Sequence, residues 1–310
     1  MSHLLEVLKV KIMSWENTFR IWAQPLSTTE NDRCENAERM IRAAIKASPA
    51  LGSMDIAVFA QGSYKSNTNV KQESDVDICV CLNSTFFYHL PPNDPDPVSY
   101  GIFPSSVDYK EFKGWVESAL VDKFGRQGVS RGSKAFDVHA NSYRVDADVV
   151  AAFRHHRYTG KTDGYPNYLE GIEFQTDSGA QIVNWPSQTY ENGVVKNAAT
   201  STRYKAVVRV LKRLKYAMEE DNIPATKNIG SFLIACLVWN VPDNYFGHST
   251  LEEDVRQVLI FAFNATLTDV DCANWVEVNE LKYLFDPWQA WTRQQAHDFI
   301  SAAWLYLGFT

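Results

Sequence analysis

GSYKSNTNVKQESDVDICV, residues 62–80 of this 310-residue chain, combines a short turn with an apolar strand that begins with acids. The turn is Gly62-Ser63, and the acids are Asp75 and Asp77. Because side chains alternate along a strand, both carboxylates are expected on one face and the apolar side chains on the other. Two neighbouring carboxylates repel each other, and a bound cation relieves that cost.

The turn supplies the chemistry that complements these acids. Hard divalent cations such as Mg²⁺ bind carboxylate oxygens, usually together with the phosphates of a substrate. Gly62 has no side chain to obstruct a phosphate, and the turn offers backbone N–H groups and the hydroxyl of Ser63. Residues 62–80 therefore predict a nucleotidyl-transfer site with two Mg²⁺ ions, for which Mn²⁺ could substitute.

A second acidic strand, residues 144–153 with the sequence RVDADVVAAF, strengthens this prediction. A two-metal site needs a further carboxylate, and Asp148, which an apolar run follows directly, is the first candidate. Asp146 lies two residues earlier on the same strand face and is the alternative. An Asp-x-Asp pair alone also occurs on solvated strand edges, so the prediction depends on the turn and both acidic strands together.

Composition limits the classes of protein to which the chain can belong. Hydrophobic residues make up 45% of the chain and charged residues 22%, as is typical of a globular protein. The formal charge of −7 argues against stable binding of nucleic acid. Five cysteines without zinc-type spacing, and the lack of a leader or a long apolar run, predict a cytoplasmic protein that does not enter membranes.

Hydrophobic periodicity predicts an α+β protein in two parts, a catalytic half with N-terminal helices at 1–190 and a helical lobe at 191–310. The first helical stripe includes Leu5, Leu8 and Ile12. Further helices are expected at 112–124, 202–218, 229–237, 250–264 and 294–307. Strands are expected at 56–60, 75–82, 135–139, 143–153, 171–174 and 181–184.

The helix predicted at 202–218 carries six lysines or arginines and no acid between residues 203 and 215. Such a run can be a solvated face or, in an acidic protein, a clamp for a triphosphate. Arg209 and Lys212 lie three residues apart and form the best pair for a clamp. Ser231 opens the next helix, where it could receive a phosphate or cap the helix.

Five short motifs give the chain a family resemblance. It resembles the bacterial cGAS/DncV-like nucleotidyltransferases, and within them clade E, the cyclic dinucleotide synthases of anti-phage (CBASS) systems. The resemblance runs from about residue 61 to 243, and 240–243 is one of its more clade-specific parts. The motifs are Gln61-Gly62-Ser63-Tyr64-Lys65, Asp75-x-Asp77, Ala147-Asp148-Val149-Val150, Asn184-Trp185-Pro186 and Tyr190-Glu191-Asn192-Gly193.

The resemblance implies a polymerase-β-like core and a C-terminal helical lobe, with the active site in the cleft between them. It implies that two Mg²⁺ ions are bound by Asp75, Asp77 and Asp148, and it favours Asp148 over Asp146. Phe232 would stack on a base, although an apolar helix residue can equally be core. The other implied nucleotide contacts are Gln61, Gly62, Ser63, Arg209, Lys212 and Ser231.

Asn184 is the position of most interest for substrate choice. Its carboxamide can pair with O4 and N3–H of uracil, or it can simply end a strand before Pro186. Clade E enzymes with Asn-aromatic-Pro tend to make pyrimidine-containing products. The resemblance therefore implies a uridine-containing cyclic dinucleotide, cyclic UMP-AMP or cyclic di-UMP, made from UTP and ATP and sensed by a separate effector protein, with regulatory partners an open question.

Three other functions are compatible with the same residues. A linear oligonucleotide synthase shares the core, as does a toxin-type nucleotidyltransferase that modifies RNA or protein. A catalytically silent nucleotide-binding regulator is the alternative from a different class. The mutual repulsion of the three aspartates argues against a silent protein, because such a protein has no reason to retain it.

Overall fold

The computed structural model describes residues 14–70 and 75–309; the stripe predicted at Leu5, Leu8 and Ile12 lies outside them. The helices are α1 (Glu16–Trp22), α2 (Thr28–Ala47), α3 (Gly62–Lys65), α4 (Tyr109–Phe124), α5 (Pro186–Ala199), α6 (Arg203–Glu220), α7 (Ser231–Trp239), α8 (Leu251–Ala265) and α9 (Arg293–Tyr306). The strands are β1 (Ile56–Ala60), β2 (Val76–His89), β3 (Val129–Arg131), β4 (Phe136–Val138), β5 (Ala147–Thr162), β6 (Tyr165–Gln175) and β7 (Gln181–Asn184).

The seven strands form one mixed sheet built around β2 and β5. The order is β1-β2-β5-β4-β3, and β6 pairs with both β5 and β7. β2 and β5 run parallel, whereas the other pairs are antiparallel. Parallel strands need a long crossover, and residues 90–146, which include α4, provide it here.

Helix α4 covers the sheet face opposite the predicted site. Phe153 of β5 has the opposite parity to Asp148 and therefore points to the other face. The ring of Phe112 from α4 lies against it, with centroids 5.4 Å apart, and the hydroxyl of Tyr109 donates to the carbonyl of Ala151. The acidic face is therefore on the side of the sheet away from α4.

The chain divides into two compact units. One is Leu26–Asn192, and the other combines residues up to Pro25 with those from Gly193 onward. The sequence assigned the N-terminal helices to the catalytic half and predicted that the opening helix packs across both halves, but α1 groups with the helical unit. The physical reason is burial: Phe19 is fully buried in the helical core, and the indole N–H of Trp15 donates to the carbonyl of Leu307 over 2.9 Å.

Several elements differ from the sequence expectations. β5 begins at Ala147 instead of Tyr143, because the side chain of Asn141 accepts from two backbone N–H groups and holds the preceding residues in a turn. Helix α5, which begins at Pro186, was not predicted. None of the helices among the described residues has the length and apolar character that crossing a bilayer requires.

Candidate active site

The parallel pairing of β2 and β5 places two of the predicted acids side by side. Asp77 lies opposite Asp148 in the strand register. Adjacent strands are about 4.8 Å apart, and residues in register share a face, so both carboxylates project from the same point of the sheet. Asp75 is exposed and immediately precedes β2. Asp77 and Asp148 are thus neighbours in the sheet although they are distant in the chain.

Burial and neighbouring acids disfavour the ionised form of the Asp148 carboxylate. Burial raises the pKa of Asp148, and the nearby charge of Asp75 raises it further, followed by those of Asp137 and Asp146. Across residues 14–70 and 75–309, no three His, Cys, Asp or Glu side chains form a complete metal ligand set by themselves. Mg²⁺ often uses only one or two carboxylates and takes its other ligands from phosphates and water.

Asp146, the alternative third acid, has a structural partner. One of its carboxylate oxygens accepts the backbone N–H of Ala140, and its own backbone carbonyl accepts the N–H of Val76 over 3.1 Å. These bonds tie the start of β5 to the start of β2 and to the preceding turn. The Asp146 carboxylate is therefore engaged in a hydrogen bond within the protein.

The Gly62-Ser63 turn lies directly against Asp77. The N–H of Gln61 donates to the carbonyl of Asp77 over 2.9 Å, while the Gln61 side chain is buried. Gly62 has φ +63°, and a Cβ added there would lie 2.0 Å from Oδ2 of Asp77. Only glycine fits this position, because any side chain would collide with the carboxylate and strain the backbone.

Contacts within the same unit hold the turn in place. The carbonyl of Ser63 accepts the N–H of Thr68 over 2.9 Å, and Thr68 is itself buried. The ammonium of Lys65 lies 4.9 Å from the ring centroid of Tyr190, which is a cation–π contact. Two of the sequence motifs, at residues 61–65 and 190–193, are therefore in contact with each other.

Asp137 is an acidic neighbour of Asp148 that sequence reasoning missed. It lies on β4 opposite Asp148, so it continues the row formed by Asp77 and Asp148. Its carboxylate is 3.6 Å from Nε2 of His139, which in turn is 2.8 Å from the hydroxyl of Ser130. Phe136-Asp137-Val138 has an alternating pattern, but three residues are too few for that pattern to single out the aspartate.

The basic residues of α6 are mostly withdrawn from solvent, so the interpretation as a solvated helix face is wrong for the central ones. Lys205, Arg209 and Lys212 are buried. Burial lowers the pKa of Arg209 to about 10, with a further contribution from the charge of Arg213. Burial, and then Arg209, also lower the pKa of Lys205. Arg209 is partly structural, because its Nε donates to the carbonyl of Ala23 over 2.6 Å.

The first turn of helix α7 lacks a cap from any described side chain, which leaves its backbone N–H groups available to a phosphate. Its N-cap is Gly230, and among the described residues no side chain caps it, so Ser231 is the first helical residue and not the cap. The first N–H groups of the helix point out of its end. Phe232, which could have been core, is 41% exposed.

Asn184 lies at the end of β7, two strands away from β5. It pairs with Ile172 of β6, which pairs with Arg154 of β5, and this parity puts Asn184 on the sheet face of Asp148. Arg154, the β5 residue at this register, is six residues from Asp148. The register therefore does not bring Asn184 beside the carboxylates. The next residue, Trp185, is buried and lies edge-on to His155 with centroids 5.5 Å apart.

The motif at 240–243 is explained by packing. The ammonium of the buried Lys196 donates to the carbonyl of Val241 and to Oδ1 of Asp243, each over 2.8 Å. It also lies 5.2 Å from the ring centroid of Trp239. A buried ammonium needs such partners, and the motif supplies them. Its role is therefore to hold the end of α7.

Comparison with known proteins assigns this architecture to a class. Residues 191–308 match the family model of the cGAS/DncV-like nucleotidyltransferase C-terminal helical domain, and residues 41–124 match that of the nucleotidyltransferase domain. The Legionella pneumophila cyclic dipyrimidine nucleotide synthase CdnE is 46% identical over 297 residues, which cover 95% of this chain and 98% of that protein.

Two solved structures are similar over nearly the whole chain. The Rhodothermus marinus CdnE c-UMP-AMP synthase with Apcpp and Upnpp has a TM-score of 0.83 at 30% identity, covering 95% of this chain and 97% of that one. The Elizabethkingia meningoseptica CdnE cyclic dinucleotide synthase with GTP and Apcpp has a TM-score of 0.79 at 34% identity, covering 95% and 99%. The chain belongs to the cGAS/DncV-like nucleotidyltransferases and is an enzyme of that class.

The raised pKa of Asp148 predicts that Asp148→Asn stabilises the fold when no metal is present. Because the folded-state pKa lies above the unfolded value, the ionised carboxylate destabilises the folded state, and stability rises as pH falls through the folded-state pKa. Thermal unfolding in EDTA should show a Tm about 2 °C higher than wild type at pH 7. The gain should shrink as pH falls through the folded-state pKa, because the wild-type carboxylate then becomes protonated.

Asp177→Asn is a control of opposite sign. Hydrogen bonds from Arg131 and then Lys113 lower the pKa of Asp177 to about 2, so its ionised form stabilises the fold at pH 7 and that stability is lost as pH falls towards the folded value. Asp177→Asn should therefore lower the Tm at pH 7. A lower Tm for Asp148→Asn as well would contradict the assigned electrostatics.

Proposed function

We propose that this enzyme is a cyclic dinucleotide synthase that joins two nucleoside triphosphates, at least one of them UTP, into cyclic UMP-AMP or cyclic di-UMP. The observation that carries the proposal is the row of Asp77 and Asp148 with the Gly62 turn directly against it. The similarity to CdnE synthases over almost the full length supports the cyclic product. The alternative is a linear oligonucleotide synthase or a toxin-type enzyme, which would use the same centre.

The donor set suits divalent cations. Asp77 and Asp148 lie side by side, Asp75 adds to the negative charge at Asp148, and the lack of a side chain at Gly62 lets the Asp77 carboxylate lie directly against the turn. In this proposal Asp75, Asp77 and Asp148 hold two Mg²⁺ ions. Bound Mg²⁺ would lower the pKa of the attacking hydroxyl and neutralise charge on the leaving pyrophosphate.

The remaining residues bind and orient the nucleotides. Ser63 and the N–H groups of its turn hold a phosphate, and Lys212 and the start of α7 at Ser231 hold the donor triphosphate, with Arg209 adding positive charge. A ribose hydroxyl bonds to the α-phosphorus as the bond to the β-phosphate oxygen breaks and pyrophosphate leaves. A second such transfer, after the linear intermediate has turned round, closes the ring.

The relatives are named for products that contain different bases. They include a dipyrimidine synthase at 46% identity, a dipurine synthase at 35% and a UMP-AMP synthase at 32%. The catalytic chemistry is common to all of these, so the contacts to the base edge must differ. We assign uracil recognition to Asn184, whose carboxamide can donate to O4 and accept from N3–H.

Asn184→Ser is expected to shift incorporation from uridine towards purine. Serine is too short to present a donor and an acceptor together, and loss of such a pair typically costs about 1–3 kcal/mol, or roughly 5-fold to 150-fold in discrimination. Product mass spectrometry with equimolar UTP and ATP measures the change. Asn167→Ser, at an exposed asparagine on β6, is the matched control. An unchanged product ratio would remove Asn184 from base recognition.

The proposed cellular role is the production of a signalling molecule. We propose a cytoplasmic enzyme whose product is a second messenger in anti-phage defence, sensed by a separate effector protein, with further proteins regulating synthesis. No stable complex with nucleic acid or membrane is needed for this chemistry. Phage challenge of cells that carry the gene and its neighbours, with and without Asp77→Asn, measures whether protection depends on synthesis.

The proposed function is tested by incubating purified protein with all four nucleoside triphosphates and Mg²⁺, followed by phosphatase treatment and mass spectrometry. A phosphatase-resistant dinucleotide that contains uracil supports the proposal. A resistant all-purine product refutes the base assignment and keeps the enzyme class. A product that phosphatase shortens from its end identifies the linear synthase, and label found on added RNA or protein identifies the toxin-type enzyme.

A further inference from the structure

Phe232, for which the family resemblance implies stacking on a base, has an aromatic neighbour, Trp291. It is on the first turn of α7, beside Ser231, and 41% of it is exposed. The ring of Trp291 lies 6.2 Å away between centroids, at an interplanar angle of 56°. This distance is within the range of a favourable aromatic pair. Trp291 comes from the irregular segment between α8 and α9.

Trp291 is held firmly on its other sides. Its indole N–H donates to the carbonyl of Leu284 over 2.8 Å, and the ring is half-buried. The next residue, Thr292, is the N-cap of α9 and forms a reciprocal capping box with Gln295. Both the ring and its backbone therefore have fixed partners, and few rotamers are compatible with them.

The carbonyl that receives the Trp291 indole is itself anchored to α7. Leu284 is fully buried, and its N–H donates to the carbonyl of Trp275 over 2.7 Å. Val276, one residue on, pairs with Tyr283 and exchanges two hydrogen bonds with the side chain of Asn240, over 2.8 and 3.0 Å. Asn240 is the C-cap of α7. The contacts run from one end of α7, through residues 275–291, back to Phe232 at the other end.

We infer that Trp291 is a positioning residue that holds the Phe232 ring as a preformed surface for a nucleotide base. The inference rests on the proposed function, because it concerns the residue that stacks on the base. A half-exposed phenylalanine without such a neighbour would lose rotamer freedom when a base binds, and that loss would weaken binding. Because the contact with Trp291 already restricts the Phe232 ring in the free enzyme, little rotamer freedom is left to lose when a base binds. Asn240 and Leu284 contribute by fixing Trp291.

The test compares Trp291→Leu with Trp288→Leu. Trp288 lies on the same segment but is 88% exposed, so its loss controls for removing an indole. The first measurement is the Kd of a non-hydrolysable UTP analogue and an ATP analogue in Mg²⁺, by calorimetry. Trp291→Leu is expected to weaken at least one of them about five- to tenfold, and Trp288→Leu to change neither. In turnover, KM should rise by a similar factor while kcat changes less than about threefold.

Two more variants separate positioning from simple loss of stability. Trp291→Phe retains a ring without the N–H and should recover part of the affinity. In a Phe232→Leu background, Trp291→Leu should have little further effect, because the two act through one surface. Equal Kd values for Trp291→Leu and Trp288→Leu, or full additivity with Phe232→Leu, would overturn the inference. If the wild type binds the analogues but makes no cyclic product, the proposed function fails, and the Kd comparison still decides the role of Trp291.

Discussion

Asp77→Asn is expected to reduce product formation about a thousandfold or more while leaving the fold intact. Asparagine keeps the shape of the side chain but removes the charge that faces Asp148 across the β2–β5 pair. A catalytic metal contributes several kcal/mol to the transition state, and about 4 kcal/mol corresponds to a thousandfold in rate. Removing a charge from a cluster of like charges should not destabilise the protein. Product assay and thermal unfolding on the same preparation measure both effects.

Asp146→Asn is the matched control for this experiment. It changes the aspartate two residues before Asp148, whose carboxylate accepts the backbone N–H of Ala140. Loss of that charged hydrogen bond should cost about 1–3 kcal/mol of stability and leave the rate within a few-fold of wild type. If Asp77→Asn retained full activity, or if Asp146→Asn were the inactive variant, the assignment of the site would be wrong.

Gly62→Ala is expected to reduce activity strongly although it adds only a single methyl group. The new Cβ would lie 2.0 Å from Oδ2 and 2.9 Å from Cγ of Asp77, so either the turn or the carboxylate must move. The backbone at φ +63° adds strain of about 1–2 kcal/mol for a residue with a side chain. A displacement of about 1 Å at the reacting centre can cost a hundredfold in rate, and a loss of at least this size is expected.

Gly101→Ala separates the two causes. Gly101 has φ +71°, but nothing lies within 4 Å of a Cβ added there. It should show the backbone strain, as a lower midpoint of unfolding, without the loss of rate. Steady-state kinetics and denaturant unfolding of both variants make the comparison. Equal activity of Gly62→Ala and Gly101→Ala would show that the turn does not act through Asp77.

Local pattern identified the elements that carry the site. β1 and β7 have the bounds that alternation and flanking residues predicted, and the later helices differ by a few residues at most. Helix α5 was not predicted, because the polar residues of its first turn obscure the helical periodicity of its apolar side chains. The membership of α1 in the helical unit also escaped, because an apolar stripe shows that a helix is buried but not what it is buried against.

The sequence by itself determined the chemistry of this protein: acids on strands, a glycine where a side chain cannot fit, and motifs that place it in its family. These are properties of residue type and short spacing, which local physics dictates. Tertiary structure alone decided that Asp77 lies opposite Asp148, that Asp137 extends their row, that Lys196 holds the 240–243 motif, and that Trp291 reaches Phe232. Each of these contacts depends on strand pairing or packing between distant residues, which no local pattern encodes.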